Sequence, residues 1–268
     1  MKKITIIGCG AIGSEISFAI DKKIINMELV NIYDIDKEKM YNLKKKLKNI
    51  NPKICKNLKE AIHNSDLIFE AASISAVKSI SKECFVLKKD LFIMSVGALI
   101  VYPEILKLAR KYNCKIFFSS GAASGFDGIK ASKLSGIKSL VLTTRKPPES
   151  LKDSPGLNKF LKKHKKNIYS ITEPEIIFKG NVKQAIKLFP QNINISALLA
   201  VSVNGTEKIT VKIIADPFID KNIHEIKCIS NSGIIYTKTE NVPHPQNPKT
   251  SYLAILSAIT KLKEIEEN

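Results

Sequence analysis

The chain has 268 residues, 44% apolar and 25% charged, enough for a sizeable core in one large α/β domain or two modest ones, and too apolar for disorder. Its formal net charge of +18 comes almost entirely from lysine, with Arg110 and Arg145 the only arginines. Nucleic-acid recognition leans on arginine forks and interleaved aromatics, so this charge reads as a solvated lysine-rich surface and ranks a nucleic-acid binder last.

The first predicted element is an apolar, β-branched strand over Lys3–Ile7, followed at once by Gly8-Cys9-Gly10-Ala11-Ile12-Gly13 and a helical pattern. In G-x-G-x-x-G the first glycine allows a tight turn, the second lets backbone approach a pyrophosphate, and the third lets the helix pack on the strand. The free amides and dipole at the helix start favour phosphate. A second strand, Glu28–Tyr33, ends at Asp34, 34 − 13 = 21 positions past the last glycine, near the roughly 20 expected for the acid that binds an adenosine ribose. The competing reading is a glycine turn without a ligand.

Beyond Asp34 the spacing predicts a helix through Leu47, a short strand at Ile54 and a short helix over Asn57–His63. A buried strand Leu67–Phe69 leads into Glu70-Ala71-Ala72-Ser73, and another, Leu91–Met94, into Ser95-Val96-Gly97-Ala98. A helix over Pro103–Lys111 and a strand over Lys115–Phe118 complete a doubly wound parallel sheet. Ligands bind outside the carboxyl ends of such strands, where small residues follow at Gly8, Ala71 and Ser95. Ordinary tight turns look the same in sequence.

After the small-residue loop Ser119–Gly125 the strands lengthen and alternate: Ser139–Thr144, Ile209–Ala215, Ile223–Ile229 and Gly233–Thr239. Short links between them predict an antiparallel sheet and a second domain. Helices are expected over Val182–Phe189 and Ile193–Val201, and an irregular connection from Lys146 to Gly156. Asn247 as cap and Pro248 in the first turn set up a final helix with an apolar stripe of Leu253, Ile255, Leu256, Ile259 and Leu262. The expected division is 1–118, with the helix 247–266 packing back, and 119–246.

The longest apolar stretch, Leu91–Val101, is too short for a membrane span, and the first strand leaves no room for a signal peptide. Five cysteines without C-x-x-C spacing read as reduced thiols of a cytoplasmic protein, with no metal site. Of the histidines, His63 and His164 fall in lysine-rich helices and His244 in a proline-flanked loop. His224 falls within a strand, where Asn222, His224 and Ile226 share a face. It is either catalytic, should that face cover a nucleotide crevice, or a hydrogen-bonded structural histidine. Asn194 either caps a helix or bonds a carboxamide or a substrate group.

The stretches GCGAIG (8–13), EAAS (70–73), SVGAL (95–99), SGAASG (120–125), TTRKP (143–147), FPQNIN (189–194), ADPFIDKNIHEI (215–226) and NPKTSYLAILS (247–257) together resemble the L-aspartate dehydrogenase family. GCGAIG is generic, whereas FPQNIN, NIHEI and NPKTS are specific. The resemblance implies a Rossmann domain, a smaller α+β catalytic domain with an open antiparallel sheet, and a homodimer. It implies NAD or NADP as cofactor, oxidation of L-aspartate to iminoaspartate or oxaloacetate plus ammonia, and a place in pyridine-nucleotide biosynthesis. It makes His224 catalytic and brings Ala122 or Ala123 and Asn194 to the cofactor. The other cofactor-binding residues expected are Gly8, Gly10, Ala11, Ile12, Gly13, Asp34, Ala71, Ala72, Ser95 and Gly97. With so few arginines, the substrate carboxylates would look to lysines, to Thr250 and to a helix start at Pro248. Two alternatives stay open: another two-domain amino- or keto-acid dehydrogenase, and a dinucleotide-binding sensor without turnover.

Overall fold

A computed structural model describes residues 1–190, 194–245 and 247–267, with residues 247–249 described by their backbone alone. Contacts divide the chain into two units, Met1–Ser119 with Ile255–Asn268, and Ser120–Ala254.

The first unit alternates strand and helix: β1 (Lys3–Ile7), α1 (Ala11–Asp21), β2 (Glu28–Tyr33), α2 (Lys37–Lys46), β3 (Lys53–Ile54), α3 (Leu58–His63), β4 (Leu67–Glu70), α4 (Ile74–Val86), β5 (Asp90–Ile93), α5 (Ala98–Val101), α6 (Glu104–Tyr112) and β6 (Ile116–Phe117). The strands pair in parallel in the order β3-β2-β1-β4-β5-β6, a Rossmann-type sheet. Sheets of this kind are covered on both faces, which explains the near-continuous apolar runs. Ile4, Ile6, Phe69 and Phe92 are fully buried, with the two rings 4.9 Å apart. The winding reverses between β1 and β4, and every strand ends on the same edge, so the loops after β1, β2, β4 and β5 share one crevice. The sequence reading left out α4. Its Ser73 cap accepts from the Ala76 N–H, and serines and lysines break up its apolar face of Val77, Ile80, Cys84 and Phe85.

The second unit contains α7 (Phe126–Ser135), β7 (Ile137–Lys146), α8 (Pro155–His164), β8 (Glu175–Gly180), α9 (Val182–Leu188), α10 (Asn194–Val203), β9 (Ile209–Ala215), β10 (Asn222–Ser230), β11 (Gly233–Asn241), β12 (Pro243–His244) and β13 (Asn247–Ser251). Its open main sheet runs β11-β10-β7-β9-β8. Three of its pairings are antiparallel among the described residues, but β7 and β9 are parallel, so the sheet is mixed where full antiparallel pairing was expected. The long excursion through α8, β8, α9 and α10 between them is the crossover that parallel neighbours require. β8 was not anticipated. Nor was α7, and the stretch expected to be irregular holds a 3₁₀ turn over Pro148–Leu151 before Ser154 caps α8. One face of the sheet is buried by Leu140, Leu142, Val211, Ile213, Ile226 and Cys228, and α7, α9 and α10 pack on the sheet.

The last helix, α11 (Tyr252–Glu266), starts later than expected. Residues Asn247–Ser251 form β13, paired with β12, and not a first helical turn. A residue before proline is steered away from helical backbone, so Asn247-Pro248 suits the extended hairpin. The buried stripe is also rotated. Ile255, Ala258, Leu262 and Ile265 are buried, while Leu253 and Leu256 are exposed. Ala258, Leu262 and Ile265 join the core of the first unit, and Lys2 Nζ donates to the Ile265 carbonyl at 3.0 Å.

Candidate active site

In the first unit, Gly8 has φ +99°, and a side chain there would collide with the Ala71 carbonyl. A Cβ on Gly13 would run into the Gly8 carbonyl, whereas one on Gly10 would meet nothing within 4 Å. The three positions therefore differ as their spacing implies: two close contacts flank one open approach. No side chain caps α1, and among the described residues no acceptor engages the first-turn N–H groups of Ala11, Ile12 and Gly13. These unpaired donors at a helix start suit a pyrophosphate.

Asp34, just past β2, accepts from the Cys9 N–H at 2.7 Å and the Asp36 N–H at 2.9 Å. Its carboxylate is thereby pinned beside the glycine loop. Burial, then the Asp34 charge, pushes the Cys9 thiol up to about 12, so that thiol stays protonated and inert. Glu70, fully buried at the end of β4, ties together the next two loops. Its Oε1 accepts from the Ala72 N–H and the Ser95 hydroxyl, both at 2.8 Å, and its Oε2 from the Ser95 N–H at 3.0 Å. Burial still raises its pKa above the usual carboxylate range, against these hydrogen bonds. Gly97 lies buried just beyond. Thus Gly8, Gly10, Ala11, Ile12, Gly13, Asp34, Ala71, Ala72, Ser95 and Gly97 all lie in the loops or helix start at the carboxyl edge of one sheet, where the residues fit an adenine dinucleotide.

In the second unit, β10 turns Asn222, His224, Ile226 and Cys228 to the buried face. β7 does the same with Leu140, Leu142, Thr144 and Lys146. His224 stands opposite Thr144, and the Thr144 Oγ1 and His224 Nδ1 atoms lie 3.0 Å apart. Burial, then the charge of Lys146, lowers the His224 pKa to about 3, so the imidazole is neutral at ordinary pH. Burial lowers Lys146 itself to about 8. Asn241 pairs with Asn222, and its amide donates to the Ala122 carbonyl at 2.8 Å, fastening the Ser120–Gly125 loop beside this row. Among the described residues, the buried Asn241 Oδ1 has no hydrogen-bond partner.

Ala122 and Ala123 are buried, and Asn194 is the exposed first residue of α10. Gln191, Asn192 and Ile193 of the FPQNIN stretch lie outside the described residues. His63 and His164 are exposed, as are Asp127 and Lys130 on α7. His244 is buried in β12, its ring 5.4 Å from that of Tyr252. Because α11 starts at Tyr252, no helix N-terminus stands at Pro248 to receive a carboxylate. The sequence reading did not single out Lys146, Thr144, Asn241 or Glu70. Strand parity held the signal for two of them: Thr144 and Lys146 continue the Leu140–Leu142 alternation. Among the described residues, no three His, Cys, Asp or Glu side chains gather as metal ligands, and no helix is long and apolar enough to cross a membrane.

Two family models match in tandem: "Homoserine dehydrogenase, NAD binding domain" over residues 8–119 and "Aspartate dehydrogenase, C-terminal" over residues 127–265. An L-aspartate dehydrogenase of Methanococcoides burtonii is 40% identical over 270 residues, covering 100% of this chain and 98% of its own. One from Nitrosopumilus maritimus is 41% identical over 268 residues, covering 98% and 96%. The crystal structure of aspartate dehydrogenase from Thermotoga maritima matches with a TM-score of 0.75 at 26% identity, over 99% of this chain and 97% of that one. A myo-inositol dehydrogenase from Lactobacillus casei, solved with NAD(H) and myo-inositol, shares the fold at 11% identity, with a TM-score of 0.61 over 100% and 86% of the two chains.

Proposed function

The chain belongs to the L-aspartate dehydrogenase family, and on that premise we propose that His224 is the base of its reaction. The enzyme is an oxidoreductase that oxidises L-aspartate with NAD or NADP. The bound nicotinamide supplies the hydride acceptor. The glycine loop, with the first-turn amides of Ala11, Ile12 and Gly13, would hold the pyrophosphate, and Asp34 the adenosine ribose. Ala71, Ala72, Ser95 and Gly97 would line the same crevice, and Ala122, Ala123 and Asn194 are read as further cofactor contacts.

Oxidising a 2-amino acid removes a hydride from Cα and a proton from the ammonium, giving the protonated imine. Water then adds to the imine carbon, and ammonia leaves to give oxaloacetate. Both stages need a group that takes up a proton. The observation that carries the assignment is the His224–Thr144 pair. One ring nitrogen is held by a hydroxyl, and among the described residues nothing engages Nε2, which is free to accept a proton from water or, through it, from the ammonium. A neutral imidazole has that capacity, and an imidazolium does not.

Formation of NADH by the purified protein across amino acids tests the reaction. L-Aspartate should far exceed glutamate, alanine and malate, and oxaloacetate should be reduced only with ammonia present. His224→Ala should lower kcat by roughly 10²- to 10⁴-fold, the usual loss for a general acid–base group, with little change in NAD affinity. Turnover within a few-fold of the native enzyme would make His224 structural. We also read the enzyme as a cytoplasmic homodimer. The free thiols of Cys9, Cys55, Cys84, Cys114 and Cys228 support the first, and exposed Ile234 and Tyr236 on β11 offer apolar surface for the second. Sedimentation equilibrium tests the dimer.

A further inference from the structure

We propose that Lys146 is a substrate-binding residue, its buried ammonium taking one carboxylate of L-aspartate on the sheet face that carries His224. The inference rests on the reaction given above and adds to it the group that recognises the substrate's charge.

Lysine is almost never fully buried unless it is paired, because an uncompensated ammonium is costly away from water. Lys146 is only 6% exposed, at the end of the inward row Leu140, Leu142, Thr144, Lys146. Among the described residues no carboxylate, carbonyl or hydroxyl accepts a hydrogen bond from its Nζ. The nearby carboxylates are engaged elsewhere: Asp216 and Glu225 each lie 3.6 Å from the guanidinium of Arg145, whose side chain alternates to the other face. Arg145 is thus neutralised, and the lysine beside it is not.

The surroundings of Lys146 are also unfinished. β10 pairs Ile223 with Arg145, so the next residues out, Asn222 and Lys146, are neighbours on the inner face, and Asn241 stands across from Asn222. Asn222 is buried, yet among the described residues its side-chain amide makes no hydrogen bond. Asn241 Oδ1, too, has no partner among the described residues. Buried polar groups are normally satisfied, so a row that holds, among the described residues, one orphan buried carbonyl beside an ammonium and an amide without a protein partner is complementary to a ligand. Water could satisfy the amides but leaves the ammonium without a counter-charge. An amino acid with a second carboxylate offers anionic oxygens to Lys146 and Asn222, and an ammonium donor to Asn241.

His224, diagonal to Lys146 across the two strands, is roughly 7–8 Å away at the backbone by ordinary sheet geometry. Burial first, and then the Lys146 charge, make His224 a poorer base. A substrate carboxylate on Lys146 cancels the second of these and returns that part of the imidazole's basicity as the substrate arrives.

The test uses the full chain loaded with NAD. Lys146→Met should raise the KM for L-aspartate about 10- to 100-fold, the range for losing a hydrogen bond to a charged group. The inhibition constant of succinate, a dicarboxylate without the amine, should rise by a similar factor, while the Kd for NAD stays the same. Lys146→Arg, which keeps the charge, should recover succinate binding to within several-fold of native, a rescue that a purely structural role does not produce. If the Met variant fails to fold, Lys146→Gln takes its place in the same measurements. Unchanged KM and unchanged succinate inhibition overturn the inference. So does a fall in kcat with KM and succinate inhibition intact, which would make Lys146 a proton-transfer group. Should the native enzyme form no NADH from aspartate, the reading of the reaction fails first, and succinate binding still reports on Lys146.

Discussion

Thr144 Oγ1 and His224 Nδ1 meet at 3.0 Å across the β7–β10 pairing, on the buried side of the sheet. The threonine is the only hydrogen-bond partner of the ring among the described residues, so it sets which nitrogen is left for the substrate. Thr144→Val keeps the shape and removes the hydroxyl. We expect kcat to fall about 10-fold, matching one lost hydrogen bond of roughly 1.4 kcal/mol, with Thr144→Ser close to native. Steady-state kinetics on the pair of variants decides it, and equal kcat in both would free His224 from this constraint.

Acid stability should report the same histidine. Its folded pKa of about 3 lies below the ordinary 6.5, so the folded state holds it neutral while the unfolded chain takes up a proton. Its contribution to stability is complete above pH 6.5 and is lost as pH falls toward 3. Lys146 stays charged throughout that window, and Asp216 and Glu225 face Arg145. Urea unfolding of His224→Gln at pH 7 and pH 4 should therefore show a smaller acid loss than the native chain. The difference should be on the order of 3 kcal/mol. An identical loss in both would show that the histidine is not held neutral.

Asp34 should govern the choice between cofactors. A ribose 2′-phosphate would meet its carboxylate, so Asp34→Ala should raise the NADP-to-NAD ratio of kcat/KM, helped by Lys37 and Lys39 nearby. The same carboxylate braces the Cys9 and Asp36 amides, so the variant should also weaken NAD itself. Asp34→Asn separates the two effects, because it keeps an acceptor oxygen and loses the charge. A ratio unmoved in both variants would place the acid away from the ribose.

Glu70 should matter for the shape of the crevice. In Glu70→Gln one acceptor oxygen becomes an NH₂ donor, yet Ala72 N–H, Ser95 N–H and the Ser95 hydroxyl all donate into that carboxylate. At least one bond is lost in a buried place, at about 1–3 kcal/mol. Chemical denaturation should show that loss, and the KM for NAD should rise as the two loops loosen. A variant with native stability and native KM would mean that the loops hold themselves.

The nucleotide-binding half was largely legible in the sequence, because its signals are local. β1, the glycine loop and Asp34 occupy a single βαβ stretch, and buried parallel strands write themselves as apolar runs. The second half was less so. That β7 and β9 lie side by side in parallel depends on a long crossover, and no short-range pattern in Ser139–Thr144 or Ile209–Ala215 records it. Lys146 escaped notice because a lysine reads as surface by type, and only its parity with Leu142 and Thr144 says otherwise. Asn247-Pro248 was misread because the same residues open a helix or edge a hairpin, and the partner strand at Pro243 decides between them. His224 had its face right, but its partner lay 80 residues upstream.

The helix α11 returns the chain to the unit it left at Ser119, so the core around Ile4 and Leu67 is complete only once Ala258, Leu262 and Ile265 are in place. During synthesis the ribosome must therefore deliver all of residues 120–254 before the first unit can close. The first unit is thus made in two pieces, separated in the chain by the whole of the second. Until then that core, although α1 and α2 already pack in it, lacks its last apolar side chains, a long wait for a chain growing at roughly 5–20 residues per second. A stalled or truncated product lacking α11 would leave apolar side chains of that core without their partners, the kind of surface that chaperones and proteases capture.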